Sequence, residues 1–393
     1  MNRLSYLLKS SRLLYEIYFF VMSALLKMLG ILVGYDAKLI LFNCFGGKQY
    51  ADSPKAIYES MLSDPRFDGY RFVWALHAPE RFSIPGRSSV IKADSFKYFV
   101  TALRAGIWIT NSSMERGLSF KKKKTLCFNT WHGTPIKTMG ADIKEENLSF
   151  KSRVLVRADI MCAQGQYDVD VFSRAFRLPV SHFRMTGLPR NDILASYTPE
   201  MVCRIKEKLG IGKEKTVLLY APTFREYARG ESNEIVLDIP MNLSKWQEAL
   251  GDRFVVLFRA HYEVAKHMKL AGYPVFLDMS AYPDLNELMI VSDALISDYS
   301  SIFFDYSIMG KPMYCFAYDM REYGDNRGMY LRLTDELPCE VHQREDSLID
   351  QLLKIDEEKE ALSRRTVLFQ RKYVTEFGHG AKKCCDAIAG MNR

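Results

Sequence analysis

The stretch KLILFNCFGGKQYADSPKAIYESML, residues 38–62, runs from an apolar segment through Gly46-Gly47 into a polar turn and then an amphipathic segment. Leu39 to Phe42 show no polar alternation, the pattern of a strand covered on both faces. The paired glycines permit a sharp turn. Ser53-Pro54 predicts a helix N-cap followed by the first helical residue. A strand, a glycine turn and a capped helix make one β-α step of a parallel sheet.

The same alternation extends outward on both sides. RFVWAL (71–76), IWIT (107–110), TLCFNT (125–130) and ADIMCAQ (158–164) read as strands, and DSFKYFVTALRAG (94–106) as a helix closing at Gly106. The theme restarts after residue 195. PEMVCRIKEKLG (199–210) reads as a helix ending at Gly210, followed by strands in TVLLYAPTFR, RFVVLFRAHY, DALISDYSS and KPMYCFAYD. A chain of 393 residues exceeds what one core usually organises, about 250–300 residues. The predicted fold is therefore α/β, with two Rossmann-like lobes around a central cleft, where ligands gather at the carboxyl ends of the strands. The boundary falls near 195–212, giving lobes 36–197 and 198–393. The charged, helical closing segment 346–388 is placed to cross back onto the first lobe.

Composition narrows the function. The net charge of +7 is compatible with nucleic acid, an anionic membrane surface or a phosphorylated substrate. No nucleic-acid-binding signature accompanies it, so nucleic acid is not an expected partner. The eight cysteines include no C-x-x-C pair, which favours reduced core thiols over zinc. Near the N-terminus, Ile17 to Leu26 are apolar and bracketed by Glu16 and Lys27, and ten such residues fall short of the ~20 that span a bilayer. With Arg3, Lys9, Arg12 and Lys27 alongside, residues 1–35 read as an amphipathic helix lying on an anionic membrane surface.

Six constellations carry chemistry. In NTWHGTPIK (129–137), a strand delivers His132 to its carboxyl end, where a general base belongs. Gly133 permits close backbone approach. Thr134-Pro135 predicts a helix start whose free N–H groups attract an anion, with Lys137 adding a cation. Arg259 and His261 share one side of an extended segment and suit two phosphate oxygens. Ser297-Asp298-Tyr299-Ser300-Ser301 stands between a strand and a helix, a place that can cradle a pyrophosphate. Thr223 and Arg225, after the first strand of the second lobe, suit the donor or the transferred phosphate. Glu287 opens a helix and could accept ribose hydroxyls. GLPRND (187–192) reads either as a hinge turn or as part of the site. Asp168-Val169-Asp170 matches a metal-binding D-x-D, but its setting in QYDVDVFSRAF makes it the first turn of a helix, where acids favour the dipole. No metal ligand set is assigned and no cofactor is expected, although magnesium could stimulate by pairing with a diphosphate donor.

NTWHGTPIKTMG, TGLPRND, YAPTFR, RAHY and SDYSSIFFDY, in this order, resemble the CDP-glycerol glycerophosphotransferase family of wall teichoic acid primases and polymerases. The resemblance runs over residues 38–388. It implies a GT-B-like fold, CDP-glycerol as donor and a polyprenol-diphosphate-linked acceptor, with an acceptor-side first lobe and a donor-binding second lobe. The family's two essential histidines match His132 and His261, and its donor-binding serines match Ser300 and Ser301 behind Asp298. The implied place of work is the cytoplasmic face of the membrane, as a peripheral protein. Nothing in the sequence opposes a homo-oligomer. A CDP-ribitol donor, or a nucleotide-sugar donor on the same fold, stays open at this level.

Overall fold

The computed structural model describes residues 11–143, 156–223, 225, 240–260 and 270–391. The described residues fall into two compact units. Unit 1 comprises Met1–His132, Met139–Arg190 and His379–Arg393, and unit 2 comprises Gly133–Thr138 and Asn191–Gly378.

Unit 1 opens with helix α1 (Arg12–Leu32), followed by β1 (Asp36–Asn43), α2 (Asp52–Leu62), β2 (Arg71–Leu76), β3 (Ser88–Lys92), α3 (Phe96–Arg104), β4 (Ala105–Thr110), β5 (Leu126–Asn129), β6 (Ile160–Ala163), α4 (Gln166–Phe176) and β7 (Phe183–Met185). The seven strands form one sheet in the order β3-β2-β1-β4-β5-β6-β7. Its pairings are parallel: Ile40 lies opposite Phe72 on one side and Ile107 on the other.

The unbroken apolar run of β1 is explained by burial on both faces. Ile40 and Phe42 pack with Trp74 and Ile109 against Ile57, Tyr58 and Met61 of α2 and against Cys384, Cys385 and Ile388. Leu39 and Leu41 point the other way, into a cluster with Trp108, Tyr98, Leu103 and Leu26 of α1. This is the two-residue period of a strand, with both faces apolar. The helix start expected at Ser53 comes earlier: Ala51 is the N-cap and Asp52 the first residue of α2. Ser53 is fully buried, and its hydroxyl accepts the Arg190 N–H at 3.4 Å.

Unit 2 contains α5 (Pro199–Lys208), β8 (Thr216–Tyr220), α6 (Leu243–Leu250), β9 (Phe254–Phe258), β10 (Phe276–Asp278), α7 (Leu285–Val291), β11 (Ala294–Ser297), α8 (Ile302–Ser307), β12 (Met313–Phe316), α9 (Met320–Arg327), α10 (Leu333–Glu336), β13 (Val341–His342), α11 (Glu345–Leu353) and α12 (Ile355–Tyr373). Its six strands run parallel in the order β10-β9-β8-β11-β12-β13. Trp246, Phe258, Ile296, Tyr314 and Leu348 anchor the core on one face of this sheet. The last helix, α13 (Gly380–Met391), belongs to unit 1 and packs on α2. The expected α/β architecture with two parallel sheets is thus present.

Candidate functional site

In unit 1, β1, β4 and β5 end side by side, and each hands over to a short polar loop. Asn111, just past β4, ties two of these loops together. Its side-chain Oδ1 accepts the Phe45 N–H at 2.7 Å, and its backbone carbonyl meets His132 Nδ1 at 2.8 Å. A carbonyl can only accept, so Nδ1 carries the proton and Nε2 keeps its lone pair. That is the tautomer a base needs.

The imidazole lies on the Trp131 ring, with centroids 4.2 Å apart, and beside Phe45 at 5.8 Å. Water reaches the side chain, yet the dense protein around the ring disfavours its charged form. That burial holds its pKa below the ordinary histidine value. The Asn111 carbonyl and Asp52 push upward and Arg190 pushes down, without reversing the result. His132 is therefore neutral at neutral pH.

The segment after His132 corrects one expectation. No helix begins at Thr134. Lys137 instead forms an antiparallel bridge with Met329, and the Thr138 hydroxyl donates to the Arg327 carbonyl at 2.7 Å. Thr134 and Pro135 are buried in this extended passage, and Gly133 adopts a φ of 147°. The anion site expected at a helix N-terminus is absent there. The Lys137 ammonium lies over the Tyr323 ring at 5.5 Å.

In unit 2, Asp298 organises the loops that follow β8 and β11. Its Oδ1 accepts the backbone N–H groups of Thr223 (2.8 Å) and Tyr299 (2.7 Å), and its Oδ2 accepts Arg225 Nη1 at 2.8 Å. Arg225 also grips Asp319 with two parallel bonds, 2.7 and 2.9 Å long. Its side chain is 2% exposed, and the rings of Tyr299, Tyr318 and Tyr323 surround the guanidinium at 4.9–5.2 Å. The Thr223 hydroxyl is buried and has no hydrogen-bond partner among the described residues. Ser300 and Ser301 are half-buried at the start of α8, and Ser300 Oγ accepts the Ile302 N–H at 3.3 Å. Past β9, Arg259 Nη1 donates to the carbonyls of Met279, at 3.0 Å, and Ser280. Glu287 pairs with Lys208 at 2.7 Å and accepts from Tyr282. His261 lies outside the described residues.

The family model for CDP-glycerol:poly(glycerophosphate) glycerophosphotransferase matches residues 25–389. The chain belongs to that family. It is 32% identical over 349 residues to the teichoic acid poly(glycerol phosphate) polymerase of Staphylococcus epidermidis, a match covering 86% of this chain and 48% of that protein. The chain thus spans about half of that relative's length. It is also 32% identical to the teichoic acid glycerol-phosphate transferase of Staphylococcus aureus, over 90% of this chain and 93% of that protein. A solved structure of the wall teichoic acid polymerase TagF superposes with a TM-score of 0.84 at 29% identity, covering 93% of each chain.

Within this member of the family the candidate residues sort by surroundings. His132 stands in a loop cluster of unit 1. Thr223, Arg225, Asp298, Ser300 and Ser301 stand together on adjoining loops of unit 2. Arg225 and Asp298 spend their polar atoms on protein groups and so hold the loops, whereas the Thr223 hydroxyl has spent none. Glu287 is occupied by Lys208 and Tyr282. Asp168 accepts the Gln164 N–H at 2.8 Å and Asp170 accepts from Gln166, in keeping with a helix start. The sequence reading passed over Asn111, Phe45 and Asp52. Their signal was faint: polar residues directly after a strand, with no glycine fingerprint.

Proposed function

We propose that the chain moves glycerol phosphate from CDP-glycerol to a hydroxyl of a polyprenol-diphosphate-linked acceptor. The acceptor oxygen attacks the glycerol-bearing β-phosphorus and an O–P bond forms. The P–O bond to the CMP side breaks, CMP leaves, and the hydroxyl proton passes to His132 Nε2. Little covalent chemistry falls to the protein in such a transfer, so positioning and charge stabilisation dominate. Arg259, His261, Ser300 and Ser301 are assigned to the donor diphosphate, with Thr223 beside them. Gly133, Thr134 and Lys137 are assigned to the acceptor side as extended backbone and a cation. The hydrogen bond from His132 Nδ1 to the Asn111 carbonyl, which leaves Nε2 without a partner among the described residues, is the observation that carries the reading.

The test is a donor panel of CDP-glycerol, CDP-ribitol and UDP-sugars, with a lipid-linked saccharide as acceptor. CMP release and a product heavier by one glycerol phosphate, seen by mass spectrometry with CDP-glycerol alone, is the expected result. Transfer only from CDP-ribitol or from a sugar nucleotide would replace the donor assignment.

The same reading places the protein peripherally on the cytoplasmic face of the membrane. The sequence reading measured only the ten uncharged residues Ile17 to Leu26 against a bilayer, whereas the whole apolar helix runs from Arg12 to Leu32. The 21 residues of α1 rise about 31 Å, enough by length and composition to cross a bilayer. Its packing favours a helix lying on the surface instead. Ser23, Leu26 and Gly30 are buried, Ser23 Oγ accepts the Ser119 N–H at 3.0 Å, and Tyr15 donates to the Gly117 carbonyl at 3.2 Å. These contacts fasten α1 to unit 1 along most of its length. Ile17, Phe20, Val21, Leu25 and Met28 remain exposed, Phe20 by 70%. Arg12 stands at the start of α1, and Lys122 bonds the Gly34 carbonyl just past its end.

Replacing these five exposed residues by glutamine spares the packed stripe. Binding to vesicles containing phosphatidylglycerol should be lost, and turnover on acceptor in vesicles should drop at least tenfold. Turnover on a water-soluble acceptor should stay within about twofold. The basic contribution, on the order of 1 kcal/mol per residue near the surface, should fade as salt rises. An equal loss on both acceptors would mean that the face serves the fold rather than a membrane.

A further inference from the structure

A buried ion pair stands beside His132. Arg190 Nη1 donates to Asp52 Oδ2 at 2.9 Å, and the two side chains are 13% and 7% exposed. The pair spans the sequence, from the first turn of α2 to the loop after β7. Asp52 is bound twice, since its Oδ1 accepts the Ser53 N–H at 2.5 Å. Its backbone adopts a φ of 60°, a left-handed conformation that costs a side chain with a Cβ energy.

That strain is not isolated. Among the described residues, six non-glycine positions have positive φ, and three of them are Phe45 (46°), Asp52 (60°) and Trp131 (52°). Phe45 and Trp131 are the two rings against the His132 imidazole. Asn111 supplies the His132 hydrogen bond and also holds the Phe45 N–H. The loop from Cys44 to Ser53 is thus pinned at one end by Asn111 and at the other by Arg190. Strained backbone persists only where its surroundings over-determine it, and such residues gather at working sites.

We propose that Asp52 and Arg190 form a positioning pair for His132, fixing the loop that cradles the ring and balancing opposite charges beside it. This rests on the reading of His132 as the base. Among the described residues, the charged groups acting on the ring are Asp52 and Arg190, and its other neighbours include the Asn111 carbonyl and the rings of Phe45 and Trp131. Asp52 favours the protonated imidazole and Arg190 opposes it, so the pair's two charges act on the ring in opposite directions.

The test uses the full-length protein labelled on histidine, with the His132 ring signal assigned by its loss in His132→Gln. Asp52→Asn tolerates the left-handed φ and removes the charge while keeping one acceptor oxygen. It should move the His132 titration midpoint to lower pH. Arg190→Gln should move it to higher pH. The double variant should bring it back towards the wild-type value, a crossing pattern that a purely structural role does not produce. The acid limb of the kcat profile should follow the ring signal. Midpoints unmoved in both folded single variants overturn the proposal. Midpoints that cross as expected while the kcat limb stays fixed uphold the pair but remove His132 as base.

If either single variant fails to fold, the double variant decides, because it leaves no uncompensated buried charge. With the loop untied, its kcat should fall about tenfold with KM within twofold of wild type. A wild-type kcat there overturns the proposal.

Discussion

Replacing His132 by alanine is expected to lower turnover by roughly a hundredfold or more while leaving the fold intact, the range for removing a positioned acid–base group. The side chain reaches solvent and, among the described residues, makes one hydrogen bond, to the Asn111 carbonyl, so its loss opens no sealed cavity. Circular dichroism and the melting midpoint should stay close to wild type. KM for CDP-glycerol should change little, because the donor residues are assigned to loops of unit 2.

The pH profile gives an independent check. His132 must be neutral to accept a proton, and activity falls as the ring is protonated. Burial pushes its pKa below the ordinary value of about 6.5, so the acid limb should lie below that pH. A folded His132→Ala protein with near-normal turnover would remove this residue from the mechanism. An acid limb above pH 7 would point to a different titrating group.

The contrast between what the sequence disclosed and what it hid follows from range. Residues 38–62 disclosed a strand, a turn and a helix because each depends on its neighbours: a continuous apolar run, paired glycines and a helix-starting proline. Thr134-Pro135 was misread for the same reason. Locally these residues resemble a cap and first turn, but the Lys137 backbone pairs with Met329 far along the chain, and that partner outweighs local propensity. The short strands Ser88–Lys92 and Phe276–Asp278 carry too few apolar residues to announce themselves.

His132, Ser300 and Asp298 were legible as site candidates because each sits at a strand's carboxyl end. Asp52 was not. Its meaning comes from Arg190, 138 residues away, and from a φ that no composition reveals. Arg225 was legible as a charged residue in the right loop. Its burial between two carboxylates and three tyrosine rings emerges only when β8, β11 and β12 are brought together.

That setting makes Arg225 the residue whose loss should cost unit 2 most. Burial alone would favour a neutral side chain. Asp298 and Asp319 reverse this and hold the guanidinium charged, with its pKa raised above the usual arginine value. Arg225→Met keeps much of the volume and the contact with the tyrosines but strands both carboxylates. Breaking a buried pair on one side typically costs about 3–5 kcal/mol. The midpoint of urea unfolding, followed by Trp246 fluorescence in a variant lacking the other tryptophans, should fall accordingly.

Arg225→Lys should recover only part of the loss, since an ammonium cannot make the parallel bonds that Arg225 makes to Asp319. Glu287→Gln is the control. It removes the more exposed pair with Lys208, so its effect on stability should stay within ~1 kcal/mol. Donor affinity should separate the two further. Asp298 holds the Thr223 N–H and Arg225 together, so freeing Arg225 should loosen the loop that carries the unpartnered Thr223 hydroxyl. CDP-glycerol binding should weaken in Arg225→Lys even where the protein remains folded. Wild-type stability in Arg225→Met would mean that water or a rearranged cation reaches the two carboxylates, and that the cluster does not hold the loops together.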